Sequence, residues 1–231
     1  MIFRQLFERE SSTYTYLIAC AETRAAALID TVKTEVPKYL QLLDELNLTL
    51  IYALDTHTHA DHITGAGALR DATGCTTLLA QEAKSACVSQ GLRDGEQITI
   101  GKLNLTALYT PGHTDDSYSF VLQDAGQTFV FTGDTLLIRG TGRTDFQNGS
   151  AQDQYHSLFS KLLTLPEHTW VYPGHDYKGW TLSTIAEEKA HNPRLQVKDV
   201  NAYVQLMNNL KLPNPQLMDI AVPANRACGK S

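Results

Sequence analysis

Four short segments rich in histidine and aspartate constrain this chain more than any other feature of its sequence. The first, DTHTHADH at Asp55–His62, places three histidines and two aspartates in eight positions directly after an apolar run. The other three are TPGH ending at His113, TGD ending at Asp134 and PGH ending at His175. Because loops at strand ends often carry functional groups on a rigid scaffold, these segments predict one polar site shared by several strands.

The side chains in these segments are those that zinc and iron prefer as ligands, namely imidazole and carboxylate. Packing requires no such concentration of polar groups, and burying them without a shared cation would cost free energy. The sequence therefore predicts a metal site. Its seven candidate ligands are His57, His59, Asp61, His62, His113, Asp134 and His175.

The order of apolar runs predicts an α/β fold. Short runs bounded by polar breakers predict strands at 14–19, 25–30, 48–54, 76–80, 103–109, 117–123, 128–134 and 169–174. Helices are predicted over 35–46, from near Thr64, and over 151–164, 183–191 and 198–210, before a Pro-rich tail around Pro213, Pro215 and Pro223. This order indicates two mixed β-sheets packed together and flanked by helices. With 231 residues, 42% of them apolar, we expect one domain spanning 1–231.

Charge and cysteine content argue against several classes of partner. A formal net charge of -6, without a dense basic run, argues against nucleic acid and membrane surfaces. No segment reaches the roughly 20 apolar residues of a membrane helix, and the N-terminal residues lack a secretory pattern. Because Cys20, Cys75, Cys87 and Cys228 show no CxxC spacing, we expect neither a zinc knot nor a disulfide framework. These features predict a cytoplasmic protein in a reducing compartment.

The metal-ligand segments carry a family resemblance. THTHADH, PGHTDD, TGDTL and YPGHD resemble, in order and spacing, the metal-site motifs of the metallo-β-lactamase superfamily over about residues 51–176. This resemblance implies an αβ/βα sandwich with the site at the sheet edges. The segments TGDTLLIRGTGRTDFQNGS, YPGHDYKGW, EEKAHNPRL and LPNPQLMDIAVPAN resemble the persulfide dioxygenases, also called sulfur dioxygenases, along nearly the whole chain.

Membership of that family would imply an activity and a metal. Its members oxidise glutathione persulfide with O2 to sulfite and glutathione. The resemblance implies one iron(II) held by His57, His113 and Asp134, a ligand set that leaves coordination positions for both reactants. The other four candidate ligands, His59, Asp61, His62 and His175, are then expected to orient the ligands through hydrogen bonds.

The glutathione part of such a substrate has two carboxylates and an amine, so its binding site needs cations and hydrogen-bond donors. The candidates nearest the metal-ligand segments are Arg143, Tyr177 and Lys178, and weaker candidates are Arg139 and Arg226. Thr141 occupies a position where some family members have cysteine, which excludes a thiol role there.

Two other functions compete with this interpretation. A hydroxyacylglutathione hydrolase of the glyoxalase II type would use two metals to activate water against a thioester. Against it stand the segments IRGTGRTDFQ, NPRL and AVPAN and the lack of room for a long C-terminal helical domain. A metal- or persulfide-binding sensor would bind without turnover, but the chain has no DNA-binding segment. The oligomeric state stays open between a monomer and a homodimer.

Overall fold

The computed structural model describes residues 1–211 and 217–229, which form two mixed β-sheets packed face to face. Within these residues the first sheet has the order β1-β2-β3-β4-β5-β6, with β1 (Ile2–Glu8), β2 (Thr13–Ala19), β3 (Ala25–Ile29), β4 (Thr49–Leu54), β5 (Thr76–Ala80) and β6 (Gln90–Leu92). The second has the order β12-β11-β10-β9-β8-β7, with β7 (Gln97–Ile100), β8 (Leu103–Tyr109), β9 (Tyr118–Asp124), β10 (Gln127–Gly133), β11 (Trp170–Pro173) and β12 (Ser183–Thr184). The predicted fold class is confirmed.

Strand β2 shows how the layers are built. Successive side chains of a strand point to opposite faces. Accordingly, Tyr16 and Ile18 lie in the core between the sheets, while Leu17 and Ala19 lie in the core beneath the helices. The Tyr16 ring lies 5.0 Å from the ring of Phe131 in the second sheet. Every residue of β2 is buried because the strand is covered on both faces.

Helices cover the outer face of each sheet. α1 (Val36–Glu45) and α2 (Ala66–Thr73) pack on the first sheet, and α3 (Ala151–Ser160), α4 (Ile185–His191) and α5 (Val200–Asn208) pack on the second. A further helix, α6 (Met218–Arg226), ends near α2, where Gly67 lies against Cys228. None of the helices in the described ranges has the length and apolar character needed to cross a membrane.

All eight predicted strands are present, with each end within one residue of the prediction. The predicted helix 151–164 is wrong at its end, since Lys161 has φ -123° and ψ -70° and a separate 3-10 turn covers Leu162–Thr164. The segment predicted as a helix at 183–191 begins instead with the short strand β12. Thr184 then caps α4, accepting a hydrogen bond from the backbone N–H of Glu187 at 3.1 Å.

Besides β12, three strands and one helix were not predicted from the sequence. β1 is an edge strand that carries charged residues, and β6 and β7 are short, so their apolar patterns are weak. α6 lies within the predicted Pro-rich tail and contains Pro223. Pro213 and Pro215 lie outside the described residues.

The expectation of no disulfide is wrong. Cys87 and Cys228 are bonded, with their Cα atoms 5.9 Å apart, whereas Cys20 and Cys75 are free and buried. The bond joins the loop before β6 to the residues after α6. Its two cysteines are 141 positions apart, so only the tertiary fold brings them together. The C-terminal helix is therefore covalently tied to the first sheet.

Replacing Cys87 with serine should lower the free energy of unfolding by about 2–4 kcal/mol in oxidising buffer, because the cross-link restricts the unfolded chain. Urea unfolding followed by circular dichroism measures this difference. Wild-type protein treated with dithiothreitol is the control and should approach the stability of the variant. A variant as stable as the oxidised wild type would show that the cross-link contributes nothing.

Candidate metal centre

The polar segments meet at one edge of the sandwich because each follows the carboxyl end of a strand. β4 leads into 55–62, β8 into His113, β10 into Asp134 and β11 into His175. β4 belongs to the first sheet and the other three strands to the second. Seven ionisable side chains from both sheets therefore converge, as the sequence predicted, and they form two compact groups.

The first ligand group consists of His57, His113 and Asp134. One ligand atom from each residue lies within 4.8 Å of the other two. Asp134 Oδ2 lies 3.6 Å from His113 Nε2, and the ring centres of His57 and His113 are 4.9 Å apart. Two imidazoles and one carboxylate around a common point can hold a divalent ion while leaving coordination positions open.

The protonation states in this group are those a metal requires. Burial and the neighbouring histidines hold the pKa of His57 well below its usual value, so its imidazole is neutral. Burial would raise the pKa of Asp134, but His175 and then His113 hold it well below its usual range. The Nδ1–H of His113 donates to the carbonyl oxygen of Arg143 at 2.7 Å, which leaves Nε2 available. Neutral imidazole and ionised carboxylate are competent ligands.

The second ligand group consists of His59, Asp61, His62 and His175, whose ligand atoms also lie within 4.8 Å of one another. His175 links the two groups. Its Nδ1 lies 2.7 Å from Asp134 Oδ1, and its Nε2 lies 2.8 Å from Asp61 Oδ2. Asp61 Oδ2 is also 2.9 Å from His62 Nδ1.

His175 is the residue of the second ligand group that lies between two carboxylates. Burial alone would lower its pKa, but Asp134 and Asp61 raise the pKa well above its usual value. Burial would raise the pKa of Asp61, while His175 and His62 hold it well below its usual value. His175 is therefore an imidazolium that donates to two carboxylates, and it fixes the orientation of Asp134.

His59 contacts the carboxylate of Asp30, the residue that directly follows β3. Burial would lower its pKa, but Asp30, whose Oδ1 lies 3.2 Å from His59 Nε2, raises it to about 9. Asp30 also accepts hydrogen bonds from the backbone N–H and hydroxyl of Thr56, at 2.6 and 2.9 Å. Within the described residues, His59 Nδ1 and His62 Nε2 are buried without a hydrogen-bond partner. Such atoms are uncommon in folded proteins. A cation that displaced the proton of His59 would give both nitrogens a partner.

Two glycines allow the loops to approach one another closely. Gly133 has a φ of +49°, and a Cβ there would lie 2.6 Å from Thr56 Oγ1. A Cβ on Gly142 would lie 2.4 Å from the carbonyl oxygen of Asp134 and 2.8 Å from the His113 ring. The Gly142 N–H instead donates to that carbonyl oxygen at 2.6 Å. Glycine at both positions is needed to place Asp134 beside His113.

Asn225 supports the loop of residues 55–64, called the His-rich loop below. The sequence did not predict this role. Its Nδ2 donates to the carbonyl oxygens of His59 and His62 at 2.9 and 2.8 Å. Its Oδ1 accepts from the backbone N–H of Thr64 at 2.8 Å. The AVPAN segment carries part of the family resemblance, but no local pattern places this residue beside a loop 161 positions away.

An open cavity of about 520 Å³ adjoins the first ligand group. His113 and Asp134 line it, and the segment 137–143 forms part of its wall. Tyr177 and Lys178, which the sequence predicts to contact the substrate, also line the cavity, and their side chains are exposed. The cavity therefore opens the first ligand group to solvent.

The predicted arginines differ in their placement. Arg139 and Arg143 line the cavity. Arg194 also lines it and was not predicted, although its NPRL segment carries part of the family resemblance. Arg226 lies outside the cavity and is exposed at the end of α6. No pattern in the sequence distinguishes an arginine that faces this cavity from one in solvent.

Comparison with known proteins shows the relationships of the chain. Residues 9–175 match the metallo-beta-lactamase superfamily. The human protein named persulfide dioxygenase ETHE1, mitochondrial, is 47% identical over 99% of this chain and 89% of its own. The crystal structure of ETHE1 from Myxococcus xanthus is 55% identical, with a TM-score of 0.95 over 99% of this chain and 100% of that one. A probable hydroxyacylglutathione hydrolase from Schizosaccharomyces pombe is 35% identical over 85% of this chain and 74% of its own.

Asn225→Ala should destabilise the protein by on the order of 3 kcal/mol, because it leaves buried backbone groups of the His-rich loop without partners. It should also reduce the amount of metal retained after dialysis. Thermal unfolding and elemental analysis measure the two effects. Asn209→Ala is the matched control, since within residues 1–211 and 217–229 Asn209 Nδ2 donates to the exposed Gln205 carbonyl oxygen alone. Equal stability of the two variants would contradict the supporting role of Asn225.

Proposed function

This chain belongs to the persulfide dioxygenase family of the metallo-beta-lactamase superfamily, and we propose that it oxidises glutathione persulfide with O2, using one iron(II) per chain. The reaction consumes one persulfide, one O2 and one water, and it yields one glutathione and one sulfite. The observation that carries the proposal is the 47% identity to human persulfide dioxygenase over 99% of the chain.

His57, His113 and Asp134 would hold the iron. The fit rests on their donor set, which combines two imidazoles and one ionised carboxylate within 4.8 Å of one another. Two histidines and one carboxylate are the ligand set that many non-haem iron(II) oxygenases use. When bound, iron(II) supplies the redox chemistry with O2 that the side chains of this chain do not provide.

The surrounding residues would keep the three ligands in place. His175 donates to Asp134 Oδ1, which leaves Oδ2 on the side of His113. The carbonyl oxygen of Arg143 accepts from His113 Nδ1–H and sets the orientation of that ring. Hydrogen bonds of this kind to metal ligands typically contribute 10- to 100-fold in metal affinity.

We assign the second ligand group to orientation of the first and not to a second iron. His175 supports this role because it is already engaged by the carboxylates of Asp134 and Asp61. The unpartnered nitrogens of His59 and His62 favour the alternative of a second cation. The metal content of the purified protein separates the two arrangements.

The glutathione part of the substrate would occupy the cavity. Tyr177 and Lys178 are the strongest of the predicted contacts, since both line it with exposed side chains. Arg143 and Arg139 also line it, and each is already paired with an acidic side chain. Arg226 lies outside the cavity, so nothing in the geometry supports its predicted role.

The second candidate is a hydroxyacylglutathione hydrolase, favoured by the compact second ligand group and by the 35% identity to the S. pombe protein. A hydrolase of this type needs two metals that act as Lewis acids on water. The persulfide dioxygenases are more similar to this chain and cover more of it.

We also propose that the chain acts as one domain in the cytoplasm, without nucleic-acid or membrane partners. The net charge of -6 supports the absence of a nucleic-acid partner. The cysteine content no longer supports a reducing compartment, because Cys87 and Cys228 form a disulfide. The human relative is named mitochondrial, which also argues against the cytoplasm. Fractionation of the source cells tests the location.

His113→Ala should lose nearly all bound iron and all O2 consumption, because only two ligands of the triad remain. His62→Ala should keep most of its iron. Elemental analysis of both variants, purified without added metal, measures the difference. Wild-type protein should contain close to one iron per chain. Equal metal loss in the two variants, or two metals per wild-type chain, would contradict the one-iron assignment.

The iron form should consume O2 and produce sulfite from glutathione persulfide, whereas the zinc form should do neither, since zinc(II) has no redox chemistry. An oxygen electrode measures the O2 consumed by each form, and a sulfite assay measures the product. The zinc form should also hydrolyse S-lactoylglutathione slowly or not at all. Rapid anaerobic thioester hydrolysis without O2 uptake on persulfide would establish the hydrolase instead.

A further inference from the structure

Gln154 is a fully buried residue of α3 that lies outside the four polar segments. A buried side-chain amide is costly unless its oxygen and nitrogen have partners. Its Oε1 accepts a hydrogen bond from the hydroxyl of Tyr203 in α5 at 2.8 Å. Its Nε2 donates to the carbonyl oxygen of Gly142 at 3.2 Å. The amide therefore links α3 and α5 to the segment 137–143 that lines the cavity.

The backbone of Gln154 lies against the segment that ends in His113. Gly112 has a φ of +138°, and a Cβ there would lie 2.3 Å from the Cα of Gln154. The carbonyl oxygen of Gly112 accepts from the backbone N–H of Ser150, the N-cap of α3, at 2.8 Å. The close approach requires glycine at position 112. The helix α3 therefore fixes the backbone directly before His113.

The contact with Gly142 acts on the same metal ligand through a second segment. The Gly142 N–H donates to the carbonyl oxygen of Asp134 at 2.6 Å. The next residue, Arg143, accepts from His113 Nδ1–H at 2.7 Å through its carbonyl oxygen. The hydrogen bond from Gln154 restrains the peptide group that joins Gly142 to Arg143. One residue of α3 thus contacts the backbone before His113 and the segment that orients the His113 ring.

We propose that Gln154 is a positioning residue for the metal ligand His113, acting through the two segments it contacts. This inference rests on the proposed function, specifically on His113 as a metal ligand. Residues that orient a metal-bound histidine typically contribute about 10- to 100-fold in metal affinity. Because Gln154 acts through backbone groups and not on the ring itself, its contribution should lie at the lower end of that range. Tyr203 determines which end of the amide faces Gly142, since its hydroxyl donates to the amide oxygen.

The test is a double-mutant cycle between Gln154→Leu and His113→Ala, with cobalt(II) as the probe. Gln154→Leu replaces the amide with an apolar side chain of similar size and removes both hydrogen bonds. It should raise the Kd of cobalt(II), titrated into the apoprotein, about 10-fold. It should also shift the visible absorption bands of the bound cobalt, because the ligand geometry changes. In the His113→Ala background the same substitution should change the Kd less than about twofold, since no ring remains to be positioned.

A second variant and a control separate positioning from general stability. Tyr203→Phe removes one hydroxyl from the same network and should raise the Kd about threefold. That rise should be absent when Gln154→Leu is already present. Leu158→Ala is the control, since Leu158 is fully buried in the same helix and packs in the core beneath it. This control should lower the midpoint of thermal unfolding and leave the Kd of cobalt(II) within about twofold of wild type.

The outcomes distinguish the positioning role from the proposed function. An unchanged Kd in Gln154→Leu, an equal rise with and without His113, or an equal rise in Leu158→Ala would overturn the proposal. If His113→Ala bound cobalt(II) as tightly as wild type, His113 would not be a ligand, and the proposed iron site would fail with the proposal. If the cycle gave the expected result but iron-loaded wild type consumed no O2 with glutathione persulfide, the positioning role would stand and the proposed activity alone would fail.

Discussion

The site depends on the two ion pairs that His175 makes with Asp61 and Asp134. His175 lies between the two carboxylates, 2.8 Å from one and 2.7 Å from the other. Removing it would leave the buried carboxylate of Asp134 and the half-buried carboxylate of Asp61 without the charge that offsets their desolvation. The three residues come from loops of both sheets, so the same interaction holds the sheet edges together. It also turns one oxygen of Asp134 towards His113, which creates the first ligand group.

The C-terminal helix α6 completes this arrangement from outside the sandwich. Asn225 binds three backbone groups of the His-rich loop, and the Cys87–Cys228 bond fastens the end of the helix three residues later. Lys33 adds a hydrogen bond from its Nζ to the carbonyl oxygen of Gly229 at 2.6 Å. A covalent link and a set of hydrogen bonds therefore act on the same short segment. The loop that contains His57 is fixed at one end by β4 and is contacted by α6.

The three arginines that line the cavity differ in whether they have an acidic partner in the described residues. Arg139 and Arg143 pair with acids of the protein and shape the segment 137–143. Arg194 has no acidic partner in the described residues. The chain as a whole carries a formal net charge of -6, so an anionic substrate gains nothing from its overall field. Attraction of such a substrate has to come from individual cations at the cavity, which makes the pairing state of each arginine decisive.

Local sequence patterns predicted eight of the strands and the convergence of seven candidate ligand residues at strand ends. Both follow from local rules, because apolar runs with turn residues at their ends specify strands, and segments after strand ends meet at a sheet edge. Local patterns did not reveal β1, β6, β7 or α6, whose patterns are short or interrupted by charge and proline.

Tertiary contacts set the division of the seven candidate ligands into two groups, the pairing of Cys87 with Cys228, and the places of Asn225 and Arg194. Each of these depends on distances between side chains that are remote in sequence, such as the 141 positions between the bonded cysteines. Local propensity acts over a few residues and carries no information on which distant loops will touch. The protonation of His57 and His175 was equally out of reach, because burial and the neighbouring charges that set it exist only after the sheets have packed.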